Sequence, residues 1–169
     1  MGREYGGGGL LGGKACKPGG ELVKGTRARV PTARIIAPDG FLPVDAIVKA
    51  AGRAGDGMYV IEPGLPPSKF GALGQELQRK FGKTEAERGG APVAAQAVEV
   101  LLDAIARSDG TRSSVTSHIL TDPVHGRILG NFSFDQNGDM TPSPVTIHRV
   151  KHGRQTTDRV VRVSSGLLR

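Results

Sequence analysis

The sharpest pattern in the chain is an alternation near its end. Residues 130–150 read GNFSFDQNGDMTPSPVTIHRV. Phe132 and Phe134 alternate with Asn131, Ser133 and Asp135, the period-two signature of a half-buried strand. Asn137-Gly138 follows, a turn dipeptide whose glycine accepts the positive φ that tight hairpin turns need. Val145 and Ile147 then alternate with Thr146 and His148, so the pattern predicts a return strand and a hairpin over residues 130–150. A lone hairpin buries too little surface to stand by itself. The pattern therefore also predicts a larger body for it to dock on.

Upstream the period changes. Residues 21–30 (ELVKGTRARV) predict a short helix stopped by Pro31. Residues 34–37 predict a short buried strand, and Pro38-Asp39-Gly40 a turn. Residues 45–51 predict a helix with Ile47, Val48 and Ala51 on its apolar side, and residues 58–61 a second strand. Ser68 is placed to cap a helix reaching Phe81, with Phe70, Leu73, Leu77 and Phe81 at helical spacing. Residues 91–108 carry the strongest helical pattern, with Val93, Ala97, Val100, Leu101, Ala104 and Ile105 on one face. A shorter helix over residues 112–120 starts behind Thr111. Past the hairpin, residues 151–169 are basic and polar, with Val160, Val161 and Val163 as a marginal strand. Helices alternating with strands predict an α/β fold with a parallel sheet. Two clear interior strands are too few for a complete doubly wound sheet, so the chain reads as part of a domain.

Composition sharpens this. The length of 169 residues suits one domain with tails. Its 26 Gly are unevenly spread, with an excess at residues 6–9, 12–13 and 19–20, which predicts an irregular segment over residues 1–20. Cys16 is the one cysteine, so no intramolecular disulfide can form. The net charge of +7 sits at the ends: residues 1–35 hold seven Lys or Arg against two Glu, and residues 141–169 six against one Asp. Residues 36–140 are mildly acidic, with ten Lys or Arg against thirteen Asp or Glu. Nucleic-acid binding calls for clustered positive charge with stacking aromatics. The tail cations Lys151, Arg154, Arg159 and Arg162 have no aromatic among them, so no nucleic-acid partner is expected. No stretch nears the about 20 apolar residues of a membrane span. The start lacks a signal-peptide pattern, so the chain as written is expected to stay cytoplasmic.

Several candidate motifs dissolve on inspection. GGLLGGK, from Gly8 to Lys14, matches a phosphate-binding loop except at its last position, where Ala15 replaces the Ser or Thr that holds magnesium. Such a loop also needs a strand before it and a helix after it, and Cys16-Lys17-Pro18-Gly19-Gly20 is a poor helix start. Asp135-Gln136-Asn137-Gly138-Asp139 puts its glycine at the fourth position, not the sixth of a calcium loop, and reads as a hairpin turn. His118, His125, His148 and His152 lack metal-ligand spacing and read as loop or surface residues. No cofactor, metal or catalytic residue is expected. Asp39 is different, because it follows a buried strand, and ligands of open α/β sheets sit outside the carboxyl ends of the strands. A carboxylate there can hold an ammonium group. It can equally bond its own backbone in an Asx turn, the commoner arrangement.

Six segments in order carry a resemblance: Gly8-Gly9-Leu10-Leu11, ARIIAPDGF (33–41), AGDGMYV (54–60), PGLPPSKF (63–70), VEVLLDAIARSDGT (98–111) and the 130–150 segment. Together they resemble the C-terminal part of the type I periplasmic binding proteins, and within them the leucine/isoleucine/valine-type substrate-binding subunits of amino-acid ABC transporters. The resemblance covers about residues 8–153. It implies an α/β, Rossmann-like parallel sheet with flanking helices, forming an incomplete second lobe over residues 21–150 with a terminal crossover hairpin. Residues 1–20 and the basic tail 151–169 flank it. It implies a non-enzymatic solute-binding role, with a branched-chain or related amino acid as ligand and an ABC transporter permease as partner of the full-length family. Such family members are periplasmic or extracellular. Asp39 matches the family's acidic residue for the ligand's α-ammonium, with Gly40 beside it. Leu10 stands where leucine-type members place a Tyr lining the cleft. With part of the cleft, the chain is expected to bind weakly or not at all. Two other readings remain: a ligand-sensing receptor or regulator module of the same fold, and a nucleotide-binding protein using residues Gly8 to Lys14.

Overall fold

The computed structural model describes residues 8–10, 17–42, 44–82 and 85–163. In chain order these form β1 (Gly8–Leu10), α1 (Lys17–Arg29), β2 (Arg34–Pro38), α2 (Val44–Ala51) and β3 (Tyr59–Pro63). Then come α3 (Ala72–Phe81), α4 (Glu85–Arg107), α5 (Arg112–Thr121), β4 (Val124–Gly126), β5 (Gly130–Phe134) and β6 (Met140–Thr141). The chain closes on β7 (Ser143–Lys151) and β8 (Arg154–Val163). It divides into two compact units. One takes in the chain up to Pro63 together with Val145–Val161, and the other is built on Gly64–Pro144.

The first unit is an α/β layer. Its five-stranded sheet has the order β1-β2-β3-β7-β8. β1, β2 and β3 run parallel, with Leu10 opposite Ile36 and Pro38 opposite Ile61. β7 joins β3 antiparallel, with Val60 opposite His148 and Pro63 opposite Val145. One face is packed by helices: Val23 of α1 and Val44, Ile47 and Val48 of α2 bury against Ile35, Ala37, Val60 and Val150. Each such side chain contributes about 1.5–3 kcal/mol when fully removed from water. The residues foreseen on the apolar side of α2, Ile47, Val48 and Ala51, are all buried.

Three expectations for this unit change. The helix foreseen at residues 21–30 begins earlier, at Lys17, and takes in Gly19 and Gly20. Glycine costs a helix about 1 kcal/mol relative to alanine, which is why the pair reads as irregular. Here a Cβ on Gly20 would strike Ala50, and one on Gly19 would crowd Ile47, so the glycines are what lets α1 approach α2. The marginal strand of the tail is a full ten-residue strand, β8. β8 follows β7 through His152-Gly153, both at positive φ (51° and 74°), as a type I′ hairpin turn requires.

The third change concerns the hairpin over residues 130–150. β5 does pass through the Asn137-Gly138 turn, but it pairs with β6, Phe134 opposite Met140, and on its other side with β4. The strand holding Val145 and Ile147 pairs with β3 in the other sheet. Sequence alternation shows that a strand has two faces but not which strand is its neighbour. The faces of β7 are also reversed: Pro144, Thr146, His148 and Val150 are buried, while Val145 and Ile147 are half-buried.

In the second unit, residues 67–69 form a 3-10 turn and α3 begins only after Gly71, not at Ser68. A Cβ on Gly71 would collide with the Arg127 carbonyl, and its N–H donates to the Ile128 carbonyl at 2.8 Å. Phe70 is buried as foreseen, whereas Phe81 is exposed. Thr111 caps α5, accepting from the Ser114 N–H at 3.2 Å. α4 buries only part of the face its apolar spacing suggests. Pro92, Gln96 and Ala104 are buried, while Val93, Val98, Leu101, Leu102 and Ile105 are between 44% and 60% exposed. Gln96 is satisfied where it is buried: its Oε1 accepts from the Leu129 N–H at 3.2 Å and its Nε2 donates to Glu99 at 3.0 Å. A satisfied amide tolerates burial, and this one ties α4 to the turn before β5.

Candidate functional site

The carboxyl ends of the parallel strands in the first unit gather the residues singled out from the sequence. β1 ends at Leu10 and β2 at Pro38. Asp39, Gly40 and Phe41 form one 3-10 turn, closed by the Leu42 N–H donating to the Asp39 carbonyl at 2.8 Å. Phe41 is 1% exposed and pins this turn into the core. Asp39 is left exposed at the strand end, with Gly40 half-buried beside it. Among the described residues no hydrogen bond or ion pair engages the Asp39 carboxylate, so the Asx-turn bond considered from the sequence is not formed here.

The same edge holds a group that the sequence did not single out. Pro38 stands opposite Ile61, so Asp39 and Glu62 each follow the last pair of the β2–β3 ladder. The Glu62 side chain is 30% exposed, and its Oε2 lies 2.8 Å from Nε2 of His148, whose side chain is 4% exposed. Glu62 faces Thr146 across the β3–β7 pair and Val60 faces His148, so carboxylate and imidazole are diagonal neighbours on one sheet face. With Nε2 protonated, the imidazole donates and fixes one carboxylate oxygen. His148 Nδ1 is buried without a partner among the described residues. His148 is therefore neither loop nor surface. The usable signal was its phase: Pro144, Thr146, His148 and Val150 share one parity, and Val150 is plainly apolar.

A second polar cluster lies wholly in the other unit. A cavity of about 370 Å³ is lined in part by Gln96, Glu99, Asp103, Arg107, His118 and Asp122. Arg107 sits between the carboxylates of Asp103 and Asp122, the latter at 3.1 Å, and His118 Nδ1 is 2.8 Å from Asp122 Oδ2. The His118 hydrogen bond, then the Arg107 charge, hold the Asp122 carboxyl below the usual carboxylate range. Each charged group here is spoken for by another, so the cluster acts as a brace between the end of α4 and the end of α5. No group of three or more metal-ligating side chains occurs among the described residues.

The remaining motifs fall out simply. Gly8 to Leu10 is strand β1, and residues 11–16, with the rest of the phosphate-loop match and Cys16, lie outside the described residues. The 135–139 segment is a hairpin turn, with Asp135 Oδ1 accepting from the N–H groups of Asn137 (2.9 Å) and Asp139 (3.0 Å). Among the described residues no helix is long and apolar enough to cross a membrane.

This architecture is that of the type I periplasmic binding proteins, over about half of their length. The chain is similar to a leucine-binding protein from Thermotoga maritima: TM-score 0.69, 21% identity, covering 92% of this chain and 44% of that one. A branched-chain amino acid ABC transporter protein from Thermus thermophilus, solved with bound valine, gives TM-score 0.67 and 17% identity, with 94% and 46% covered. The branched-chain amino acid substrate-binding protein of Streptococcus pneumoniae, in complex with isoleucine, gives 0.64 and 18%, with 92% and 44% covered. The chain thus spans less than half the length of these structures. No protein-family model and no curated protein matches its sequence.

Proposed function

We propose that this chain is the carboxyl-terminal part of a non-catalytic solute-binding protein that captures an amino acid for uptake by an ABC transporter. The observation that carries this reading is the exposed, unengaged Asp39 carboxylate at the end of an interior parallel strand. Open α/β sheets hold ligands at that edge, and a carboxylate is the natural partner of an α-ammonium. Gly40 keeps the turn beside it free of side-chain bulk, and Leu10 stands at the end of the neighbouring strand. The likeness to proteins solved with valine and isoleucine supports the same ligand class.

Affinity in such sites comes from burying most of the ligand's surface. A chain spanning 44% of its structural neighbour's length supplies only part of that enclosure. The 169-residue chain by itself therefore binds amino acids weakly. Calorimetry with leucine, valine and isoleucine is expected to show no micromolar binding, and a micromolar Kd would overturn that expectation. Asp39→Ala, placed in a chimera that completes the cleft with a neighbour's remaining chain, lowers amino-acid affinity. An unchanged affinity removes Asp39 from the site.

A further inference from the structure

We infer that the exposed side of α4 faces the interior of the complete fold, and that its apolar stripe seats a β-sheet supplied from outside this chain by the rest of the type I fold. The inference rests on the fold and on no property of Asp39 or of a ligand, so it stands or falls apart from the reading of the site. The observation behind it is an inversion of α4. Glu99, Asp103 and Arg107 line the cavity of their own unit, and Arg107 reaches Asp122 at the end of α5 at 3.1 Å. Gln96 and Ala104, on the same side of the helix, are 2% exposed each. Val98, Leu101, Leu102 and Ile105 are between 44% and 60% exposed. At 3.6 residues per turn these four centre about half a turn away from Gln96 and Ala104. A helix at the surface of a finished domain turns its apolar stripe to the core and its charges to water. α4 turns its charges toward α5 and its apolar stripe to water.

The shape of the stripe says what covers it. Its four side chains span about 100° of the helix circumference, the width of a core-facing stripe and wider than the seam of a coiled coil. That width argues against a second copy of α4 as the occupant. Helices of an α/β fold bury such a stripe on a sheet. The strands that lie wholly in the unit of α4 are β4, β5 and β6, of three, five and two residues. They pair antiparallel, and they leave the stripe open. The sheet that this helix would lie on is therefore not among the described residues of its own unit. The chain matches 44% of the Thermotoga maritima leucine-binding protein, so more of that fold lies outside this chain than within it. The missing part is long enough to carry the sheet.

The test compares two backgrounds by urea unfolding. One is the 169-residue chain, and the other a chimera in which the Thermotoga maritima protein supplies the rest of the fold. Each is measured with and without the pair Leu101→Ala and Leu102→Ala. In the 169-residue chain the pair is expected to leave the midpoint unchanged, because both side chains already meet water. In the chimera it is expected to lower the midpoint steeply, as two large-to-small changes in a core do. Equal effects in the two backgrounds overturn the inference. The 169-residue chain also decides by itself, whether or not the chimera folds. Light scattering is expected to show association of no fixed stoichiometry, weakened by Leu102→Lys. A dimer of defined mass that Leu102→Lys splits makes a second copy the occupant and overturns the inference. Unfolding of the 169-residue chain by the alanine pair overturns it too, because the stripe would then belong to an interior that this chain completes unaided.

Discussion

Asp39 and Asp122 are both acidic residues next to helical turns, and their surroundings give them opposite roles. Asp39 is exposed and unengaged, so replacing it by Asn should move stability by no more than about 0.5 kcal/mol, the range for plain surface changes. A urea midpoint shift well beyond that would mean the side chain braces its own turn. Asp122 is held by His118 and Arg107, which lower its carboxyl below the ordinary value. The stabilisation is therefore fully present above the ordinary carboxylate pKa and is lost as pH falls through the depressed one. Urea midpoints measured across the acid range should drop in that window, and Asp122→Asn should flatten the drop. At this scale the turn holding Asp39 was legible in the sequence, because Pro-Asp-Gly after an apolar run announces itself, but the Asx bond that the sequence favoured is not formed. The Glu62–His148 pair was not, because its partners are 86 residues apart and meet only through the β3–β7 pairing.

Elements were legible where one local rule was enough. Thr111 caps α5 as foreseen, and Thr111→Ala should cost about 1 kcal/mol by chemical denaturation. α1 escaped because its glycines break the helical rule locally and serve a contact 30 residues away. Replacing Gly20 by Val forces a side chain into Ala50 and should cost about 1–3 kcal/mol. Full stability in that variant would show that α1 and α2 can separate at no cost. In α4 the face foreseen from apolar spacing is only partly buried: Ala104 is inside, while Val93, Leu101 and Ile105 stay exposed.

For the whole molecule, Val98, Leu101, Leu102 and Ile105 form an exposed apolar stripe on α4. Contiguous apolar patches are uncommon on monomeric soluble proteins. The isolated chain should therefore self-associate as concentration rises, and Leu102→Lys should reduce the association seen by light scattering after size exclusion. A chain that stays monomeric at millimolar concentration would show the stripe to be harmless. Local sequence alone determined most helices and strands, the turn that exposes Asp39 and the Thr111 cap of α5, because each depends on residues a few positions apart. Tertiary structure decided which strand pairs with which, which face of β7 and α4 turns inward, and that His148 meets Glu62 at the strand edge. Those outcomes depend on partners far along the chain, and hydrophobic periodicity carries no information about which partner that is.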